Sequence, residues 1–328
     1  MDRVEVKKAE RALAAVGTCV ALGMAGCGGG GGGDAAATAT STTPTVSPTL
    51  QSPAAGYRQA RWQRGVTTTF IGDCTMQLTT TGTPSHGQAA FYLVPPSLFA
   101  GTSGPVVATT PIGRLQLVVA TLPVVMASRT YTFNICPQRA VNVTNTRGGA
   151  TGWMVTGAAL FNAFEGDGTT VAVADNVTIQ YTPPGGTAQT AGFLDTCAGH
   201  QAPGNQYRYR GFSPCVSSAA GDTDTGPSRL AGIALDGYPI YGDRDMNGNT
   251  VPVSALDECN GITSPTPDFP NGIYHYVLPR NNLTGQAAPR CYRGTVPLEL
   301  MAAIVMQGGM CGPPVTSRAS ASKRRAAI

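Results

Sequence analysis

A chain of 328 residues with a net charge of +4 and only 12% charged side chains has room for one large β domain or two small ones once its terminal segments are set aside. Four of the 22 basic residues stand within residues 1–11 and four in the tail after Pro314, leaving 14 arginines against 15 acids between them. The body is therefore near neutral, which removes the electrostatic footprint that nucleic-acid binding requires.

Taken in chain order, residues 1–26 read as a lipoprotein signal peptide. Arg3, Lys7, Lys8 and Arg11 precede an apolar run, Ala12 to Ala25, that is short for a membrane span. It ends in Met24-Ala25-Gly26-Cys27, where small residues allow cleavage and the Cys27 thiol takes a lipid. Residues 27–57, with a glycine run from Gly28 to Gly33 and then mostly Ala, Thr, Ser and Pro, read as a tether too poor in apolar side chains to build a core. Gly28 after the cysteine, rather than Asp, points to the outer membrane, so the expected location is the cell envelope. The body, 58–317, is expected to be mainly β. Thr67–Thr81, Gln88–Val94, Arg114–Val125, Arg129–Ile135, Trp153–Ala163 and Thr170–Tyr181 are rich in β-branched and aromatic residues and are separated by Gly and Pro clusters. One short C-terminal helix is expected over Pro297 to Gln307, with proline at its start and Gly308-Gly309 after its end. Residues 318–328 form a basic tail.

An internal repeat organises the second half. Gly157-Ala158-Ala159-Leu160-Phe161-Asn162 aligns with Gly232-Ile233-Ala234-Leu235-Asp236-Gly237, and Leu194-Asp195-Thr196-Cys197-Ala198-Gly199-His200 with Leu256-Asp257-Glu258-Cys259-Asn260-Gly261-Ile262. Tyr207-Arg208-Tyr209 then aligns with Tyr274-His275-Tyr276, and Cys215 with Cys291. Ordered blocks with a drifting offset imply two β-rich half-units in one domain, packed about a pseudo-twofold axis. Cys19 leaves with the signal peptide, and seven cysteines remain after Cys27. The repeat pairs Cys197 with Cys215 and Cys259 with Cys291. Cys74, Cys136 and Cys311 then provide one bridge and one free thiol, unassigned. The chain has no CxxC spacing, so thioredoxin-type chemistry and thiolate zinc motifs are not indicated.

Ala234-Leu235-Asp236-Gly237-Tyr238-Pro239-Ile240-Tyr241-Gly242, the Leu-Asp-x-Cys-x-Gly string and Tyr274-His275-Tyr276 resemble the YHYH-domain proteins, with the match running from about Gly157 to Gly294. Gly82-Thr83-Pro84-Ser85-His86 is a weaker echo of an upstream motif. The resemblance implies a fold and an exported setting rather than a reaction. The first copy reads Tyr207-Arg208-Tyr209-Arg210 where the family has Tyr-His-Tyr-His, and the second keeps His275 but has Val277 in place of the other histidine.

The chain has three histidines, His86, His200 and His275, and no GxSxG nucleophile elbow. Asp195 and Asp257, each before a cysteine, read as turn residues capping backbone N–H groups beside a bridge. Asp243-Arg244-Asp245-Met246-Asn247-Gly248 places oxygens at positions 1, 3 and 5 and glycine at 6, the beginning of a calcium loop. Its twelfth position is Ser254, so a bidentate ligand would come from Asp257 or Glu258. The other reading is a polar hairpin with Asn-Gly in the turn. On the Tyr-x-Tyr strands, alternation places Tyr207 with Tyr209 and Tyr274 with Tyr276, and sends Arg208, Arg210 and His275 to opposite faces. The two polar rows are expected to meet in a common cleft containing Asp195, Asp236 and Asp257. There the arginines favour an anion or pair with those carboxylates, and no tightly held zinc or copper is expected. Three functions follow: a lipid-anchored extracytoplasmic binding or structural module, favoured here, with its ligand open; a metal-binding protein or metal-dependent enzyme using His200, His275 and nearby carboxylates; and a hydrolase of surface polymers using the spare acids.

Overall fold

The computed structural model describes residues 52–94, 106–110, 113–119, 127–146, 149–165, 168–174, 177–201 and 206–305. Cys27, Cys311, the expected signal peptide, nearly all of the expected tether and the basic residues after Pro314 lie outside the described residues. No helix among the described residues is long and apolar enough to cross a membrane.

The chain is mainly β. It begins with a short helix, α1 (Pro53–Gln59), and a hairpin, β1 (Val66–Ile71) and β2 (Thr75–Thr80), which β6 (Arg129–Asn134) joins in the order β1-β2-β6. Alternation on β2 and β6 turns Met76, Leu78, Tyr131 and Phe133 inward, where Tyr131 lies against Trp153 with ring centroids 3.9 Å apart. A second sheet combines β3 (Phe91–Val94), β4 (Val106–Thr110), β5 (Gly113–Val119), β10 (Thr178–Tyr181) and β11 (Gln189–Gly192) in the order β10-β11-β3-β5-β4. β7 (Arg139–Asn145) pairs with β18 (Cys291–Gly294) alone.

The third sheet holds the repeat. Its strands are β8 (Ala150–Met154), β9 (Ala159–Phe161), β12 (Gly199–Gln201), β13 (Tyr207–Tyr209), β14 (Leu230–Ala234), β15 (Pro239–Gly242), β16 (Gly261–Thr266) and β17 (Phe269–Leu278). The order β12-β13-β9-β8-β14-β15-β17-β16 reads the same from both edges once each strand is replaced by its repeat counterpart. The centre is the antiparallel β8–β14 pair, where Gly152 faces Ala234, Trp153 faces Ile233 and Met154 faces Gly232. In each half an antiparallel hairpin (β8–β9, β14–β15) is followed by a parallel neighbour (β13, β17) and an antiparallel edge strand (β12, β16). The four central strands are buried at every described position. This matches their continuous apolar composition, in place of alternation.

The register corrects the first block of the repeat. Leu160 and Ile240 occupy equivalent places, because Tyr209 pairs with Leu160 as Tyr276 pairs with Ile240. Gly157 therefore corresponds to Gly237, not to Gly232. Both are turn glycines at φ 96° and 86°, and each donates its N–H three residues back, to Met154 and Ala234. Positive φ is the backbone requirement that fixes glycine there. The Ala-Leu strings that align by composition lie on opposite sides of the turn, Ala159-Leu160 after it in the first hairpin and Ala234-Leu235 before it in the second.

Other boundaries also move. Thr67–Thr81 is a hairpin broken at Gly72, which has φ 61°, and Trp153–Ala163 contains the β8–β9 turn. Folded structure reaches back into the expected tether, because Tyr57 in α1 is fully buried and donates its hydroxyl proton to Gly237 O at 2.7 Å. α2 (Pro214–Ala220) is capped by Ser213, whose hydroxyl accepts from Val216 N–H. α3 (Leu298–Val305) lies within the expected C-terminal helix.

Disulfides join Cys74 to Cys136, Cys197 to Cys215 and Cys259 to Cys291. The last closes a loop spanning 32 residues, so Cys259→Ala with Cys291→Ala should lower unfolding free energy by about 4 kcal/mol on the chain-entropy account. Urea denaturation of the double variant checks this, and an unchanged midpoint would contradict it.

Candidate functional site

Each half carries the same turn. Asp195 Oδ1 accepts from the N–H of Cys197 at 2.9 Å and of Gly199 at 3.2 Å. Asp257 Oδ1 accepts from the N–H of Cys259 and Gly261, both at 2.9 Å. The residue after each cysteine is left-handed, Ala198 at φ 57° and Asn260 at φ 67°. The neighbouring strand then brings a tyrosine to each carboxylate: Tyr207 donates to Asp195 at 2.9 Å and Tyr274 to Asp257 at 3.1 Å. The halves differ in the last partner. Asp195 also receives the Tyr92 hydroxyl at 2.8 Å, whereas Asp257 receives Nε and Nη2 of Arg293 at 3.2 and 2.7 Å. Burial pushes the Asp257 carboxyl up, but Arg293 and the two N–H donors outweigh it and hold it below the usual range. Burial and the Asp195 charge push the Tyr207 phenol up, so it remains a proton donor.

The second tyrosine of each strand points the same way, to a hairpin-turn residue. Tyr276 donates to Asp236 Oδ2 at 2.6 Å, and Gly294 N–H donates to the same oxygen at 2.8 Å. Burial raises the Asp236 carboxyl to about 6 against these hydrogen bonds. In the first half the equivalent of Asp236 is Thr156, whose Oγ1 lies 2.9 Å from the Tyr209 hydroxyl. The same hydroxyl meets His86 Nε2 at 2.5 Å.

The polar rows do not share a cleft. β13 and β17 are separated by β9, β8, β14 and β15, about 24 Å at the usual strand spacing. Alternation fixes the face each side chain takes, but not how many strands lie between two rows. His200 and His275 are likewise apart, on β12 and β17. Arg208 Nε donates to His200 Nε2 at 2.8 Å. Burial, then the charges of Arg208 and Arg210, push His200 well below its usual range, so it accepts as a neutral ring. The arginines do not pair with Asp195, Asp236 or Asp257, which are on the tyrosine face. Arg210 lies 3.8 Å from Glu165, both 4% exposed, and donates to the carbonyls of Asn162 and Phe164. Both guanidinium groups sit over the Phe161 ring, at 4.6 and 5.5 Å. His275 is buried, holds Ile273 O at 3.0 Å through Nδ1 and packs edge-on against Tyr241. Burial lowers its pKa to about 4.

The acidic loop is a hairpin turn. Asp245 Oδ1 accepts from the N–H of Asn247 and Asn249, each at 2.9 Å, and Gly248 takes φ 79°. Asp243 is buried and faces the other way, with Oδ1 3.3 Å from Arg280 Nε and Oδ2 accepting Arg280 N–H at 2.8 Å. Asp257 and Glu258 both bind Arg293. Of the oxygens expected to gather around a cation, those of Asp243, Asp257 and Glu258 face arginines and Asp245 Oδ1 holds the turn's own N–H groups. The first half has a counterpart: Gly168 takes φ 73° and donates its N–H to Glu165 O at 2.9 Å, as Gly248 does to Asp245 O at 3.0 Å.

Sequence reasoning missed Tyr92, Thr156, Glu165 and Arg293, and gave His86 no role. Thr156 and Glu165 become legible only with the corrected hairpin register, where they stand for Asp236 and Asp245. A cavity of about 180 Å³ between α1, α2 and β14 is lined by Arg61, Arg229 and Asp268 among others, and by none of the motif tyrosines or histidines.

A family model described as "YHYH protein" matches residues 130–253 and 243–294, half of the chain. No curated protein and no solved structure matches it.

Proposed function

The chain belongs to the YHYH family, and from the use it makes of that family's motif residues we propose an extracytoplasmic binding or structural module, held to a membrane through lipid on Cys27. The observation carrying this reading is the duplicated Asp-Tyr-disulfide unit. In both halves the motif carboxylate and tyrosine bind each other and the backbone next to a bridge. These residues act as the frame of the domain, and that frame depends on an oxidising compartment. The basic N-terminus, the apolar run, the Met24-Ala25-Gly26-Cys27 string and the glycine-rich stretch after it support the anchor. Gly28 at the position after the cysteine supports the outer membrane.

Expressed in a bacterial host, the wild-type chain should incorporate labelled palmitate and fractionate with membranes, and Cys27→Ser should lose both. Equal labelling of the two would overturn the anchor. Turnover of any member of a glycoside and ester panel, abolished by Asp195→Asn or Asp257→Asn in a folded variant, would replace the framework reading with a hydrolase.

A further inference from the structure

We propose that His86 and the Cys197–Cys215 bridge are the closed form of a metal site, which takes one zinc ion when the bridge is reduced. An imidazole nitrogen of His86 and the two sulfurs lie within 4.8 Å of one another, the one such group of three among the described residues. Zinc–sulfur bonds of about 2.3 Å and zinc–nitrogen bonds of about 2.0–2.1 Å place ligand atoms roughly 3.5–3.8 Å apart in a tetrahedral site. Side-chain rotation after the sulfur–sulfur bond opens covers the difference.

The imidazole is held in place. Ser85 N–H binds Thr156 O at 3.0 Å, which fastens its loop to the β8–β9 turn. The ring packs edge-on against Tyr207 at 5.5 Å and tilted on Tyr209 at 5.8 Å. Gly87 O accepts from Nδ1 at 2.7 Å. A carbonyl only accepts, so the proton is on Nδ1 and the Nε2 lone pair is the free donor. An imidazole anchored through one nitrogen to a carbonyl is the usual setting of a metal-bound histidine. Nε2 now accepts from Tyr209, whose hydroxyl keeps Thr156 Oγ1 as an alternative partner. Cys197 is buried, but His86 and Cys215 are half-buried, so the side from which a reductant would attack the bridge is Cys215.

The sequence of events balances. A dithiol gives two electrons and two protons to the bridge and becomes a cyclic disulfide, leaving Cys197 and Cys215 as thiols. Zinc binding then releases those two protons, and two thiolates with a neutral imidazole neutralise the ion. Two thiolates and an imidazole suit zinc, and copper(I) by the same softness argument. In the oxidised chain both sulfurs are bonded to each other, and the site is closed.

The test uses the purified full chain and zinc alone. The oxidised protein should take up no zinc at this site. After reduction with a dithiol and its removal under anaerobic conditions, the wild type should bind one equivalent that depends on His86. Cobalt substitution should show thiolate-to-cobalt charge transfer. His86→Ala should keep the fold by circular dichroism and weaken binding at least tenfold. Cys197→Ser with Cys215→Ser should lose the same equivalent, which separates this site from thiols of the other bridges. Reduced wild type that unfolds, stays folded without binding zinc, or binds as tightly with alanine at 86 would overturn the proposal.

Discussion

Asp257→Ala should lower the unfolding free energy by about 4 kcal/mol. The substitution removes the acceptor for two backbone N–H groups, one phenol and a guanidinium together. Arg293, 9% exposed in its side chain, is then left with Glu258, which is 60% exposed and worth less than about 1 kcal/mol at such a surface. Asp257→Asn keeps an acceptor for the turn but loses the charge, and should cost about half as much. The first half provides the control. Asp195 receives two phenols and two N–H groups but no guanidinium, so Asp195→Asn should cost less than Asp257→Asn. Urea titrations of the three variants and the wild type decide the matter. Equal costs for the two Asn variants would show that the Arg293 pair adds nothing beyond the turn.

That turn was legible before the structure, and the reason is physical. Asp before Cys with glycine two residues after it is a local pattern, since a short side chain can reach only the N–H groups that follow it. Two of the three bridges were legible because the duplication carries each cysteine with its own loop, whereas Cys74–Cys136 lies outside the repeated blocks and was left unpaired among three candidates. What escaped depends on distance along the chain or on register. Tyr92 reaches Asp195 across 103 residues and His86 reaches Tyr209 across 123, and neither lies in a repeated block. The common cleft failed because alternation assigns Arg208 and His275 to faces but leaves open the order of strands between them. The hairpin offset failed because an Ala-Leu pair follows the turn in β8–β9 (Ala159-Leu160) and precedes it in β14–β15 (Ala234-Leu235), while the informative residues were the two positive-φ glycines. With those aligned, Glu165 falls on Asp245 and Thr156 on Asp236.

Two buried groups with oppositely shifted pKa values should oppose each other in the pH dependence of stability. His275 has a folded pKa of about 4 against the usual 6.5. Its folded-state value is depressed, so its contribution is fully present above pH 6.5 and is lost as pH falls toward 4, amounting to about 3 kcal/mol. His200 is shifted in the same direction and adds to the loss on acidification. Asp236 behaves in reverse. Its carboxyl rises from 3.8 to about 6, so the folded state holds that proton more tightly than the unfolded chain does. Its contribution is fully present below pH 3.8 and is lost as pH rises through 6, again about 3 kcal/mol. Between pH 4 and 6.5 the slopes of His275 and Asp236 largely cancel in the wild type. Single substitutions should expose them. Asp236→Asn should lose about 3 kcal/mol more than the wild type on going from pH 6.5 to 4. His275→Gln, which retains a donor for Ile273 O, should lose about 3 kcal/mol less over the same interval. Urea midpoints at pH 4, 5, 6 and 7 give the three curves. Parallel curves would mean that neither group changes its proton affinity on folding, and burial of the Tyr276–Asp236 pair would then have to be relieved by solvent at that turn.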